Sequence, residues 1–370
     1  MRLRQGQTGV FEECQVLNLD LKRPSSIDPH ERWGLYFHWL RLYQNILRDE
    51  IKQQENMYKK LYMKYEEVRC IEDVAIMRQK LVVGMTTTSA ARLQKSLRAL
   101  KSPIVIVEEA AEILESHVVV SLTEHCKHLI LIGDHQQLRP TTADYTIEKK
   151  YRLGISLFER LIRNGVHHDA LEVQHRMRPE ICSLIAPTIY PNLKNHESVM
   201  SFPPVRGVGT NLFFINHDHP EELSGDNSKQ NLHEAQYLIR LAKYFILNNY
   251  EAEDVTILAA YSGQMFALLR ERKNIHVLEG VRITVLDNYQ GEESKIILLS
   301  LVRNNKEGNI GFLQIENRIC VALSRAKEGL YIMGNMELLC SKSEVSVIFI
   351  NNEICVLIAK ILYYLLMVFL

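Results

Sequence analysis

The chain has 370 residues and a formal net charge of zero, 44 basic side chains balancing 44 acidic ones. That balance excludes a global field attracting nucleic acid or an anionic membrane, so any such surface must be a local patch. Seven cysteines, at 14, 70, 126, 182, 320, 340 and 355, form no CxxC pair, which excludes a zinc ribbon or a disulfide framework and fits a reducing compartment.

Hydrophobic residues at 46% and charged residues at 24% describe a globular chain, and its length suggests two domains with an appended segment. Residues 1–30 are polar and irregular, with no apolar core segment of the secretory kind. Residues 31–80 contain no Pro, and no Gly after Gly34. Rich in Glu, Lys, Gln, Arg, Leu and Met, they predict one or two long helices. Trp33, Tyr36, Phe37, Leu40, Tyr43 and Leu47 recur at spacings of three and four, giving an apolar face. A packed helical hairpin and a projecting arm both satisfy that pattern. Residues 80–85 read as a strand, then Thr86, Thr87, Thr88 and Ser89, then a helix over 90–100. The hydroxyls suit a phosphate, and Ser89 suits a helix cap; the two roles are compatible.

The stretch 103–140, PIVIVEEAAEILESHVVVSLTEHCKHLILIGDHQQLRP, organises the rest. Two short apolar runs, 104–107 and 128–132, flank a helical stretch and read as buried parallel strands. The first ends in Glu108 and Glu109, the second in Gly133-Asp134-His135-Gln136-Gln137. Ligands of such sheets sit beyond the carboxyl ends of the strands, and carboxylates there suit Mg²⁺ and a positioned water. The bland alternative for Glu108 and Glu109 is a solvated first helical turn; the Gly-Asp-x-x-Gln pattern at the next strand end favours function.

Strands and helices then alternate to about residue 340, a second α/β unit. The predicted elements are a helix over 155–164, a strand over 170–174, a helix over 180–189, a strand over 211–215 and a helix over 233–248. A strand over 255–259, a helix over 262–272 and strands over 281–286 and 296–302 follow, then a helix over 316–326 and a strand over 329–334. Arg176 and Arg178, after the strand ending at Gln174, suit a phosphate or surface ion pairs. His217-Asp218-His219 has metal-ligand spacing but no evident further ligands, which weighs against a metal. Arg318 and Arg325 fall two turns apart on one helix face.

Five of these stretches, VEEAAE, GDHQQLRP, QHRMRPEI, DNYQGEES and CVALSRAK, occur in the order and spacing of superfamily 1 helicase motifs. The chain resembles the Upf-like RNA helicases from about residue 31 to 335, most of all the zinc-finger-containing NFX-type branch. The resemblance implies an α/β fold of two RecA-like P-loop NTPase domains with a helical arm. It divides the chain into an irregular segment 1–30, an arm 31–80, the remainder of a first RecA-like domain 81–150, a second 151–340 and an apolar tail 341–370. ATP and Mg²⁺ are the implied cofactors and single-stranded RNA the implied partner, in the cytoplasm, ribonucleoprotein granules or nucleus. RNA surveillance, small-RNA silencing or antiviral defence, with their protein partners, are the implied roles.

Residue by residue, Glu108 matches the Mg²⁺ position and Glu109 the water-activating one, where the family usually has Asp-Glu. Gln137 matches the γ-phosphate sensor and Asp134 a support for metal and water. Arg176 and Arg325 match two arginine fingers, worth about 10³–10⁵ in rate in such enzymes. Gln290, Gly291 and Glu293 match a loop beside the nucleotide, and His175 stands where relatives stack a Tyr on adenine. Thr86 and Thr87 match a contact to the nucleic-acid backbone. The resemblance favours the projecting arm over the hairpin.

Two departures stand out. There is no G-x-x-x-x-G-K-[ST] and no G-x-G-x-x-G in the chain. The expectation is therefore a truncated product or incomplete gene model, defective in hydrolysis by itself, with a non-catalytic RNA- or protein-binding fragment as the rival reading. The tail 354–370 carries only Lys360 as a charge. As a helix it would span about 26 Å against roughly 30 Å of hydrocarbon. A membrane anchor and a stretch of altered coding sequence are the two readings, the second favoured because relatives are soluble here.

Overall fold

The computed structural model describes residues 28–142, 144–186, 188–225 and 227–341. The expectations for residues 1–27 and for the apolar tail lie outside the described residues. Among the described residues no helix is long and apolar enough to cross a membrane. The chain divides into two compact units, Met1–Ser102 and Pro103–Leu370.

In the first unit a single helix runs from Pro29 to Met77, 49 residues. Pro29 takes the first helical position, where a missing N–H costs nothing, and no later Pro or Gly interrupts the helix after Gly34. One continuous helix overturns the hairpin reading of 31–80. Two short helices follow, Thr87–Arg92 and Gln94–Leu100, and the C-terminal end of the long helix packs on the second of them. Val74 is buried there, Ser96 Oγ lies 3.3 Å from Cys70 Sγ, and Arg78 donates to the Ala99 carbonyl at 2.9 Å. Residues 80–85 are not a strand. Leu81 and Val82 are fully exposed, since the segment has no neighbouring strand among the described residues. The helix cap is Thr86 rather than Ser89: the Thr86 hydroxyl accepts the Ser89 amide at 3.2 Å.

The second unit holds a two-stranded and a five-stranded parallel sheet. Strand β1, Ile104–Val107, pairs with β2, His128–Leu131, Ile104 opposite His128. Strands alternate faces. Val105, Val107, Leu129 and Leu131 pack with Val118 of the helix Glu115–Ser121 and Leu157 of the helix Leu157–Arg163. Ile104, Ile106 and Ile130, on the other face, are about half exposed.

Two minor pairs come next in the chain: β3, Val173–Gln174, with β4, Lys194–Asn195, and β6, Glu222–Leu223, with β7, Lys229–Gln230. The main sheet consists of β5 (Leu212–Asn216), β8 (Val255–Ala259), β9 (Arg282–Val285), β10 (Ser294–Ser300) and β11 (Ala326–Gly334), in the order β5-β11-β10-β8-β9. All its pairings are parallel. Its central strands are buried on both faces, one apolar cluster forming around Leu238, Ile257 and Leu298 and another around Ile185, Leu299 and Leu323.

Most of the elements expected in this unit form, some with the expected bounds and others shifted or shortened by a few residues. Three differ in kind. The segment after Arg178 is helical only over Pro179–Cys182 and continues as turns. The strand expected over 170–174 shrinks to β3, with Leu171 fully exposed. The helix Glu316–Leu323 ends before Arg325, so Arg318 and Arg325 do not share a helix face. His217 is more engaged than its loop context suggested. Its Nε2 donates to the buried Glu234 at 2.9 Å, while His233 stacks on His219 at 3.7 Å between centroids. No group of three or more metal-binding side chains is assembled among the described residues.

Candidate functional site

The loops after β1 and β2 meet where Gly133 touches the Glu109–Ala111 turn. Ala110 N donates to the Ile132 carbonyl at 2.8 Å. A Cβ on Gly133 would lie 2.8 Å from Ala111 N and 3.0 Å from Ala110 N, so only glycine allows this approach. The turn puts Glu109 at φ 50°, a left-handed conformation that a glutamate adopts only when its surroundings hold it there. The helical-start reading of the pair therefore fails: 108–113 are turns, and helix begins only at Glu115.

Loops of the main sheet meet those two loops. Gln290 Nε2 donates to Glu109 Oε2 at 2.9 Å, and Gln290 Oε1 accepts the Leu138 amide at 3.1 Å. Gly291, at φ 76°, brings its backbone close to the Glu109 carboxylate; an added Cβ would stand 3.4 Å from Oε1. Gln137 Nε2 donates to Asp134 Oδ2 at 2.8 Å, and Gln137 Oε1 accepts from Arg325 Nη2 at 3.1 Å. Glu109, Asp134, Gln137, Gln290, Gly291 and Arg325 thus form one connected group. Glu108 is exposed beside it, with no side-chain hydrogen bond among the described residues.

Arg325 carries the oddest electrostatics. It is only 1% exposed. Its guanidinium donates to the carbonyls of Val321 and Glu292, to Ser324 Oγ and to Gln137 Oε1, all neutral acceptors. No carboxylate forms an ion pair with it among the described residues. Burial first, and the neighbouring Arg176 charge second, press its pKa down to about 10. It stays charged at neutral pH, a buried cation without a counter-ion. On the acidic side, burial and then the charges of Glu109 and Asp287 raise the Glu112 pKa.

Arg176 is held differently. Its Nε donates to Glu293 Oε2 at 2.6 Å, and Lys327 Nζ lies 2.5 Å from Glu293 Oε1. Burial pushes the Glu293 carboxyl up, but the hydrogen bonds from Lys327 and Arg176 outweigh it and leave it below the ordinary range. His175 is exposed, its ring 4.0 Å from that of His196 and tilted 34°. Arg178 is no phosphate ligand here: it is buried, donating to the Glu328, Phe202 and Pro203 carbonyls. Thr86 and Thr87 belong to the first unit, where the Thr86 hydroxyl is occupied in its cap.

Two partners of the group, and a third residue beside it that the sequence marked only by its helix spacing, lie outside the motifs. Tyr190 OH donates to Asp134 Oδ2 at 2.6 Å. Asn317 Nδ2 donates to the His135 and Gln137 carbonyls at 2.9 and 2.6 Å. Arg318 grips Asp287 through two bonds of 2.9 and 2.7 Å. Asn317, an amide in the first turn of the helix leading to Arg325, offered a faint signal; Tyr190, in an irregular stretch, offered none.

Two family models described as "AAA domain" match the chain, one over residues 40–144 and one over 153–337, the latter half of its length. NFX1-type zinc finger-containing protein 1 of Homo sapiens is 49% identical over 85% of this chain and 16% of its own length. Its Caenorhabditis elegans homolog is 36% identical over 90% of this chain and 14% of that protein. The Schizosaccharomyces pombe helicase required for RNAi-mediated heterochromatin assembly 1 is 34% identical over 86% of this chain and 32% of that protein. The chain thus spans a third or less of these relatives. With five motif loops on parallel α/β sheets and both halves matched, it is a member of the Upf-like branch of the superfamily 1 helicases.

Proposed function

We propose that this chain is the core of an ATP-dependent RNA helicase, with Mg·ATP bound between the loops after β1 and β2 and those carrying Gln290 and Arg325. The observation that carries the reading is Arg325: a guanidinium 1% exposed, with neutral partners only. Leaving a charge buried without a partner is costly, and a polyanion arriving at Gln137 would supply the missing one. The raised pKa of Glu112 beside Glu109 and Asp287 likewise fits a site that gains from a cation.

Each residue has a role in this reading. Glu108, free of side-chain partners, would hold Mg²⁺, with Asp134 in support. The ion would supply charge neutralisation at the phosphate oxygens. Glu109, steadied by Gln290 beside the bare backbone of Gly291, accepts a proton from water. Gln137 and Arg325 donate to a phosphate oxygen, and Arg176 joins them on leaving Glu293. Glu293 fixes the rest position of Arg176, His175 offers a ring to the base, and Thr86 and Thr87 meet the RNA backbone. RNA rather than DNA is favoured by names among the relatives: an RNAi helicase, the mouse RNA helicase aquarius and the regulators of nonsense transcripts. A DNA helicase, ZGRF1, lies further off at 27% identity. RNA surveillance, silencing or antiviral defence in the cytoplasm is the setting we infer.

Titration calorimetry of the chain with Mg·ATP tests this. Binding is expected, with a loss of about tenfold or more in Arg325→Met while the unfolding midpoint holds or rises, because the variant removes an uncompensated buried charge. No heat with the native chain, or equal affinity in the variant, would sink the reading. A second reading, a non-catalytic RNA-binding module, is favoured by the lack of any G-x-x-x-x-G-K-[ST] in this sequence. Single-stranded RNA binding without Mg·ATP binding would select it.

A further inference from the structure

Tyr190 lies beyond the turns that follow the helix Pro179–Cys182, and its amide donates to the Ile185 carbonyl at 3.1 Å. Its ring packs against the main apolar cluster, so its hydroxyl has a fixed place. That hydroxyl lies 2.6 Å from Asp134 Oδ2 and 3.1 Å from Cys320 Sγ, the latter buried in the helix Glu316–Leu323. Burial first, then the neighbouring Cys320 and Asp134, raise the Tyr190 pKa, so the phenol stays protonated and Asp134 is its acceptor.

Asp134 is nearly saturated as a result. Oδ2 takes both Tyr190 OH and Gln137 Nε2, and Oδ1 takes the Gln136 amide at 3.0 Å. A carboxylate has about four lone-pair sites, of which three are in use. An ionised carboxylate only accepts, so Gln137 gives Asp134 its NH₂ end, and Tyr190, bonded to the same Oδ2, fixes where that carboxylate stands. The carbonyl end of Gln137 must then face Arg325, the 3.1 Å contact observed. Asn317 clamps the same loop through the His135 and Gln137 carbonyls but touches neither side chain. Orientation of the Gln137 amide is thus set by Asp134, whose own place is held by Tyr190.

We propose that Tyr190 is a positioning residue: seated between Asp134 and Cys320, it fixes the loop after β2 against the helix Glu316–Leu323 and holds the Asp134 carboxylate that turns the Gln137 amide towards Arg325. What that orientation serves rests on the nucleotide reading above; the latch itself does not.

The test is hydrogen exchange of the full chain without nucleotide, comparing native protein, Tyr190→Phe, Asp134→Asn and the double variant. Phenylalanine keeps the ring and removes only the donor. Losing a hydrogen bond to a charged acceptor should speed exchange of the amides of Gln136, Gln137 and Leu138 by about 10- to 100-fold. Amides of β10 and β11 should not change, which also reports that the variant is folded. The double variant should exchange no faster in this loop than the faster single one, since Tyr190 acts on the loop through the Asp134 carboxylate. The guanidinium nitrogen resonance of Arg325 should shift in Tyr190→Phe, a change that mere packing at Tyr190 would not cause. Unchanged loop exchange in Tyr190→Phe, or additive effects in the double variant, overturns the proposal. If Tyr190→Phe loosens the β10 and β11 amides too, Asp134→Asn alone decides: faster exchange confined to the loop supports the latch, and unchanged loop exchange overturns it. Failure of Mg·ATP to bind the native chain would remove the nucleotide reading and leave the latch intact; unchanged exchange in Tyr190→Phe would do the reverse.

Discussion

The five-stranded sheet and the β1–β2 sheet of the second unit are built from similar letters and end in different states. β8 reads VTILA and is buried at every position, and β10, SKIILLS, is buried at all but Lys295. β1 reads IVIV and β2 HLIL, yet only Val107 among their eight residues is fully buried. An apolar run records what a strand can bury, and its neighbours decide what it does bury. The five-stranded sheet has apolar helices and turns against both faces; among the described residues of this unit, the two-stranded one is covered on the side of Val118 and Leu157.

Three measurements can break or sharpen that contrast. The largest effect is expected from Leu298→Ala at the centre of β10, fully buried, which should cost about 2–5 kcal/mol in urea unfolding. Ile106→Ala in β1, 59% exposed, should cost about 0.5 kcal/mol or less. Comparable losses would erase the distinction between the sheets. Next comes Gly133→Ala, where the sparse sheet meets the site. Its Cβ would press on two backbone amides, and a loss of about 1–3 kcal/mol is expected with a disturbed Glu109 turn; a neutral result would mean the approach is not tight. The smallest effect is a pH response at the edge of the dense sheet. Glu293 has a depressed carboxyl, so its contribution is present above the ordinary value of 4.5 and is lost as pH falls through the lower folded-state value. The native chain should therefore lose stability more steeply than Glu293→Gln in that acid window, and parallel curves would remove the ion pair from the account.

The sequence was most readable where periodicity and strand-end polar clusters coincide. β8 and the helix Ser262–Arg272 fall on the predicted residues, and the loops bearing Glu109, Gln137, Gln290 and Arg325 meet. It was least readable where tertiary partners decide. Residues 80–85 have strand letters without a neighbour to pair with, and the turn at Glu109 is imposed by Gly133 from another loop. Tyr190 reaches Asp134 across 56 residues of sequence and Asn317 reaches the same loop across 180 and 182, a range at which no local pattern is written.

The 49-residue helix of the first unit spans about 73 Å, and from Trp39 to Tyr65 every residue is exposed. Nothing but local propensity keeps that middle stretch wound, and isolated helices in water are only marginally persistent. Calorimetry on this chain should thus see less than circular dichroism does: ellipticity drifting away on gentle warming, well before the sheets let go, with little heat absorbed. A single melting temperature would average two distinct events.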